Sequence, residues 1–109
     1  MAETISFEEF KKLDIRIGKV LSVEAVVGSE KLIKMEVDLG TEKRQILAGI
    51  LQYYKPEDLV GKSFVFLANL EPKKMMGLES QGMILCADKE GEPICLSPLK
   101  DALPGTIVR

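Results

Sequence analysis

Between residues 31 and 39 the apolar side chains fall on every second position, Ile33, Met35, Val37 and Leu39 alternating with Lys34, Glu36 and Asp38. That period belongs to a β-strand with one buried and one wet face, because successive strand side chains point to opposite sides. A half-buried strand needs a second layer over its apolar side, so this segment commits the chain to an antiparallel sheet that packs on, or closes upon, itself. The neighbouring segments fit. Gly40-Thr41-Glu42 predicts a turn into a third strand over 44–48, with Ile46 and Ala48 facing inward. Upstream, Ile15 and Ile17, then Leu21, Val23 and Ala25, predict a long first strand interrupted at Gly18, where a bulge or sharp bend is expected.

The flanks complete the pattern. Ser6 with Glu9 three residues later is a capping box, and Ile5 is placed to staple onto Phe10, which predicts a helix over 7–12 with Phe7, Phe10 and Leu13 on one face. Gly28-Ser29 marks a loop between the first two strands. Pro56 followed by Glu57 and Asp58, with Gly61 beyond, predicts one or two helical turns. The continuous apolar run over 64–68 predicts a fully buried strand. Residues 69–81 are expected to form a long irregular connection, followed by a strand over 82–87, a hairpin turn over 88–92, a sixth strand over 93–97 and a tail. Three strands, a short helix and two more strands is the element order of an oligonucleotide/oligosaccharide-binding (OB-fold) barrel. The rival SH3-like barrel lacks a helix between its third and fourth strands, so the Pro56 segment favours the former. The expectation is an all-β, five-stranded OB-fold barrel with short N-terminal and inter-strand helices and a C-terminal β extension. One domain would cover 1–109, with the helix in 1–13, the barrel in 14–87, and a hairpin and tail in 88–109.

A chain of 109 residues has no room for separate catalytic and substrate domains, and it contains no His, the commonest general base and metal ligand. The carboxylate pairs Glu36/Asp38 and Glu57/Asp58 fall on an outer strand face and in a helix's first turn, and they read as structural. No catalytic residue, metal or cofactor is expected. Cys86 and Cys95 are too far apart for a Cys-x-x-Cys motif, and among apolar neighbours they read as buried, reduced and structural. No apolar run reaches the roughly 18 residues of a membrane span. An N-terminus bearing Glu3, Glu8 and Glu9 lacks the pattern of a secretory signal, so a cytoplasmic location is expected.

Binding is the remaining class. The net charge is −2, but residues 31–74 hold eight bases against six acids, while both flanks are acidic. Ligands of such barrels use the loop between strands one and two and the loop between strands four and five. Here the latter carries Lys73-Lys74 followed by Met75-Met76, charge beside adaptable apolar surface. A structural account competes, with solvated lysines and a methionine plugging the barrel end. Aromatic residues make up only 6%, and Tyr53 and Tyr54 alone are unclaimed by core or helix, which disfavours base stacking on single strands. Recognition of a folded RNA by backbone and shape stays open.

Beyond these patterns, DIRIGKV at 14–20, SEKL at 29–32, VDLG at 37–40, AGI at 48–50, YYKPEDLVGK at 53–62, ANLEPKKMMGLESQGMIL at 68–85 and LSP at 96–98 resemble the tRNA-binding module of methionyl-tRNA synthetases. That module occurs as an appended C-terminal domain or as a separate beta subunit, and Gly28-Ser29-Glu30 is similar to this branch rather than to those with a His-Pro-Asn-Ala-Asp sequence. The resemblance implies an OB-fold barrel, usually a homodimer, that binds tRNA without strong sequence preference and assists the synthetase's catalytic subunit or domain. It implies tRNA contacts at Lys31, Asn69, Lys73, Lys74, Ser80, Gln81 and Met83; Arg16, Lys19 and Arg44 join them on charge and strand position. Ser80 and Met83 have a second candidate place, in the barrel wall or a dimer interface. Dimerisation is expected through the apolar run 94–96 and through Leu99, Leu103, Ile107 and Val108, in a tail too short to fold alone. The alternative function is a peptide-binding chaperone, since a small export-related chaperone resembles the same fold and dimer.

Overall fold

The computed structural model describes residues 3–109, so the first two residues of the expected N-terminal segment lie outside it. Strand β1 (Ile15–Ala25) is the spine of a five-stranded antiparallel sheet, with β2 (Ile33–Asp38) on one side and β4 (Ser63–Leu67) on the other. β3 (Lys43–Ala48) pairs with β2, and the short β7 (Met83–Ile84) pairs with β4, giving the order β3-β2-β1-β4-β7. The sheet curls into a nearly closed barrel, as expected for an OB-fold. Its interior holds Val20, Ile33, Met35, Val37, Leu39, Ile46, Phe64, Phe66 and Ile84, so the alternation read over 33–39 is borne out at the three apolar positions of β2 and at Leu39 just beyond it. Helix α2 (Pro56–Leu59) starts at Pro56 as predicted and drives Leu59 into one end of the barrel. Asp58 Oδ2 accepts from the Lys55 N–H at 3.0 Å and fixes the helix entry.

β1 is long because it changes partners. Residues 15–19 pair with β4, and 19–25 pair with β2. Where β2 diverges, the C-terminal tail takes over: Ile17 N–H donates to Thr106 O at 2.9 Å, Val108 N–H donates to Ile15 O at 2.8 Å, and Arg16 bridges Ile107. The predicted distortion is displaced. The bulge lies between Val20 and Ser22, and Gly18 stays in regular register with Phe64. A Cβ at Gly18 would come within 2.7 Å of Phe66 Cδ1 and Val37 Cγ1, so the glycine serves close packing rather than a bend.

Four further expectations are corrected. Helix α1 (Phe7–Phe10) is four residues long; Ser6 Oγ caps it from the Glu9 N–H at 3.1 Å, but Ile5 is 61% exposed and staples nothing. Strand β4 is not buried on both sides: Phe64 and Phe66 face the core, whereas Val65 and Leu67 are half-buried outside it. Residues 69–81 are not irregular. They contain a hairpin, β5 (Lys73–Met75) and β6 (Leu78–Ser80), turning on Met76 and Gly77, both at positive φ, the backbone of a two-residue hairpin turn. The expected strand over 82–87 is split into β7 and β8 (Cys86–Lys89), and β8 forms a second hairpin with β9 (Glu92–Cys95).

The barrel seam is closed by side chains and a main-chain hydrogen bond. Between β3 and the 78–84 segment, Ser80 Oγ accepts from Leu47 N–H and donates to Gly82 O, both at 3.0 Å. Gln81 N–H donates to Gln45 O at 2.8 Å, and Gln45 Nε2 donates to Glu79 O at 2.9 Å.

Candidate nucleic-acid interface

Two loops meet at one end of the barrel. In the β1–β2 loop, Ser29 Oγ accepts from the N–H groups of Lys31 and Leu32, at 3.2 and 3.0 Å, a local turn that leaves the Lys31 side chain in solvent. The β5–β6 hairpin leans over this loop, its tip Met76 Cε lying 3.5 Å from where a side chain on Gly28 would begin. Lys73 and Lys74 are exposed on β5 and, as successive strand residues, project from opposite faces of the ribbon. None of Lys31, Lys73 and Lys74 belongs to an ion pair among the described residues. Beside them lies an apolar pocket of about 270 Å³, bordered by Leu47, Leu70, Met75 and Met83 and edged by Lys73.

The other predicted positions divide into two groups. Asn69, Ser80, Gln81 and Arg44 lie along the stretch from the end of β4 to the seam with β3, and their side chains are hydrogen-bonded within the fold. Asn69 Oδ1 accepts from Asp14 N–H at 2.9 Å and its Nδ2 donates to Lys12 O at 2.6 Å, which ties α1 to the end of β4. Ser80 is 4% exposed and sits in the wall, the second place considered for it. Gln81 is held by Gln45, and the Arg44 guanidinium donates to Ala68 O, to Gln81 O at 3.4 Å and to Glu42. Hydrogen bonding and attraction from Arg44 hold the Glu42 carboxyl below its ordinary range. Met83, 41% exposed, retains a free face over the apolar pocket.

Arg16 and Lys19 lie on β1, away from the two touching loops. Arg16 donates twice to Asp14, at 2.8 and 2.7 Å, and reaches Leu39 O and Thr41 Oγ1 at 3.3 Å; the Asp14 hydrogen bonds hold its guanidinium above the ordinary value. Lys19 borders a wide cleft of about 940 Å³ formed with Tyr54, Lys62 and the tail residues Leu99 and Leu103.

Gln45 was not singled out by sequence reasoning, although it joins β3 to both Glu79 and Gln81. Nothing local marks it, since its partners come from a distant segment. The open faces of β1, β2 and β3, where OB-folds commonly bind, carry mixed charge: Lys34 pairs with Glu24 at 2.7 Å, and Glu36 and Lys43 border the same depression. Acids interleave with the bases on the sheet, whereas Lys31, Lys73 and Lys74 stand together on the two touching loops.

With this geometry established, residues 15–107 match the family model described as "Putative tRNA binding domain". The methionine–tRNA ligase of Archaeoglobus fulgidus is 57% identical over 106 residues, which cover 97% of this chain but only 16% of that protein. Among solved structures, a MetRS-related protein from Pyrococcus horikoshii superposes with a TM-score of 0.93 at 38% identity, covering 99% of this chain and all of that one. The chaperone CsaA from Bacillus anthracis superposes with a TM-score of 0.87 at 32% identity, covering 98% of this chain and all of that one. By the extent of these matches, and by the barrel and loops that underlie them, the chain belongs to the tRNA-binding domain family.

Proposed function

We propose that the chain is a non-catalytic module that grips the sugar-phosphate backbone of folded tRNA with Lys31, Lys73 and Lys74, and so strengthens a methionyl-tRNA synthetase's hold on its substrate. The observation that carries this reading is the grouping of three exposed, unpaired lysines on two touching loops of a protein whose net charge is −2. Attraction must then be local, and contacts to phosphate position an RNA without reading its sequence. Arg44, Asn69, Gln81 and Ser80 act behind these lysines by holding the loop and the seam in shape, and Met83 offers an adaptable apolar surface beside them. The module works in the cytoplasm, either as a separate subunit or as an appended domain; spanning a small part of the ligases it matches, it has the size of an accessory part. No helix among the described residues is long and apolar enough to cross a membrane.

The partner surface proposed for a second copy is the tail. Leu99 and Leu103 are 99% and 81% exposed, and Ile94 and Leu96 join them at the edge of the β8–β9 hairpin. Apolar side chains in such density on a short tail suit an interface that resembles a core cut in half. Sedimentation at micromolar protein should show twice the 12.1 kDa chain mass, and a monomer would overturn the dimer.

The likeness to chaperone CsaA favours one second reading, the binding of extended apolar peptide. The deciding experiment titrates the protein with total tRNA and with an unfolded polypeptide, each at two salt concentrations. Binding to tRNA that weakens steeply with salt supports the first reading; salt-insensitive binding to the polypeptide alone would replace it with the second.

A further inference from the structure

Cys86 and Cys95 face each other across the β8–β9 hairpin. Their Sγ atoms are 3.7 Å apart, and both thiols are free and half-buried against the core. The register decides what kind of pair this is. The two-residue turn at Glu90-Gly91 makes Lys89 and Glu92 the first, hydrogen-bonded pair, so Asp88–Pro93 and Cys86–Cys95 fall at non-hydrogen-bonded positions. Two backbone observations agree. Pro93 has no N–H to contribute, and the Cys95 N–H turns away from β8 to donate to the Tyr54 hydroxyl at 3.1 Å. At such a pair the Cα atoms lie about 4.5 Å apart with their side chains close, inside the roughly 4.4–6.8 Å that a disulfide spans.

We propose that Cys86 and Cys95 form an oxidative modification site, closing to an intramolecular disulfide across the base of the β8–β9 hairpin on exchange with a low-molecular-weight disulfide. Cys95 borders the wide cleft beside Tyr54 and is the sulfur such a reagent reaches, whereas Cys86 borders the apolar pocket beside Lys73. Cys95, as thiolate, attacks one sulfur of the reagent; that S–S bond breaks, and one reagent thiol leaves. Cys86 then gives up its proton, its thiolate attacks the Cys95 sulfur of the mixed disulfide, the protein S–S bond forms, and the second reagent sulfur leaves as thiolate and takes up a proton. Two protein thiols are oxidised by one electron each, and one disulfide is reduced to two thiols. Burial, followed by the proximity of Cys95, pushes the Cys86 thiol up to about 12, so Cys86 is not the sulfur that attacks first, and the second step draws on its small thiolate fraction and is the slower of the two. The spacing of the residues in sequence hid this pair; only the hairpin register brings them together.

The test incubates the full chain in glutathione buffers of rising glutathione-disulfide share, blocks free thiols with N-ethylmaleimide and measures intact mass and peptide maps. Expected are loss of both maleimide adducts, a mass about 2 Da below the reduced chain, a Cys86–Cys95 cross-linked peptide in a single chain, and recovery of both thiols with dithiothreitol. Cys86→Ser should instead accumulate glutathione on Cys95 and stop there. The oxidised wild type should melt several degrees above the reduced form. Persistent maleimide reactivity of both thiols, a mixed disulfide that never resolves in the wild type, or disulfides joining two chains would each overturn the proposal.

Discussion

Replacing Lys73 and Lys74 together by Ala removes two of the three unpaired cations on the touching loops without disturbing a hydrogen bond made by either side chain. Each lysine seated on a phosphate releases condensed counterion and contributes roughly 0.7 to 0.9 to the slope of log affinity against log salt. Three contacts predict a slope of about −2 to −3, so raising salt from about 50 to about 200 mM should weaken the wild type roughly 20- to 40-fold. With Lys31 alone remaining, the same change should cost only about threefold. The assay is fluorescence anisotropy with labelled tRNA at four or five salt concentrations, repeated with two unrelated tRNA species; the loss should be alike for both, since phosphate contacts carry little sequence information. Lys89→Ala, at the end of β8, removes one charge, as the single variant Lys73→Ala does, and is the control. If Lys89→Ala flattens the slope as much as Lys73→Ala does, the localised grip is wrong and only diffuse attraction is left.

Gly18→Ala forces a methyl group against Phe66, Val37 and Leu39 and should destabilise the fold by about 1–3 kcal/mol, read as a lower denaturant midpoint; an unchanged midpoint would contradict the close-packing role. Ser80→Ala leaves the Leu47 N–H buried without its acceptor and should lower stability by about 1–3 kcal/mol in urea titrations, whereas a neutral result would show that the seam does not depend on it. Tyr54→Phe removes the hydroxyl that accepts from Cys95 N–H and donates to Pro93 O, with an expected loss of about 1–2 kcal/mol by thermal unfolding. Because Cys86 holds its proton up to about 12 in the folded chain but releases it near 8.5 when unfolded, its contribution is complete below about pH 8.5 and is lost as pH rises toward 12. Stability curves from pH 7 to 11 should therefore fall, and fall less for Cys86→Ser; identical curves would contradict this.

The fold was legible where burial is one-sided. β2 could be read residue by residue because Ile33, Met35, Val37 and Leu39 meet core while their neighbours meet water. β4 misled because its outer residues Val65 and Leu67 are also apolar: Val65 takes main-chain contacts from Leu85 and Leu96, so the strand is half-covered outside as well. The β5–β6 hairpin was missed because its turn is Met76-Gly77 rather than the usual Asn-Gly, and because three-residue strands are too short to show a period. At the candidate site Lys73 and Lys74 stand out in the sequence as charge beside apolar Met75 and Met76, and Lys31 enters through the family resemblance. The work of Asn69, Ser80 and Gln45 was not legible, since each bonds to main chain that is far away in sequence and adjacent only once the barrel has closed.

A barrel latched at one seam by a serine hydroxyl and two glutamines has a preferred line of fracture. The β1–β2, β1–β4 and β2–β3 pairs must lose whole ladders to separate, whereas here a few contacts between β3 and the 79–82 segment suffice. Amide hydrogens of Leu47 and Gln81, whose acceptors lie across this line, should therefore exchange with solvent by local opening long before those of β1 and β2. Lys73 and Lys74 ride on one side of the line and Lys31 on the strand pair opposite, so an RNA that clasps both loops also clamps the fracture shut. Ligand occupancy would then be visible as slowed exchange at the two seam amides of Leu47 and Gln81.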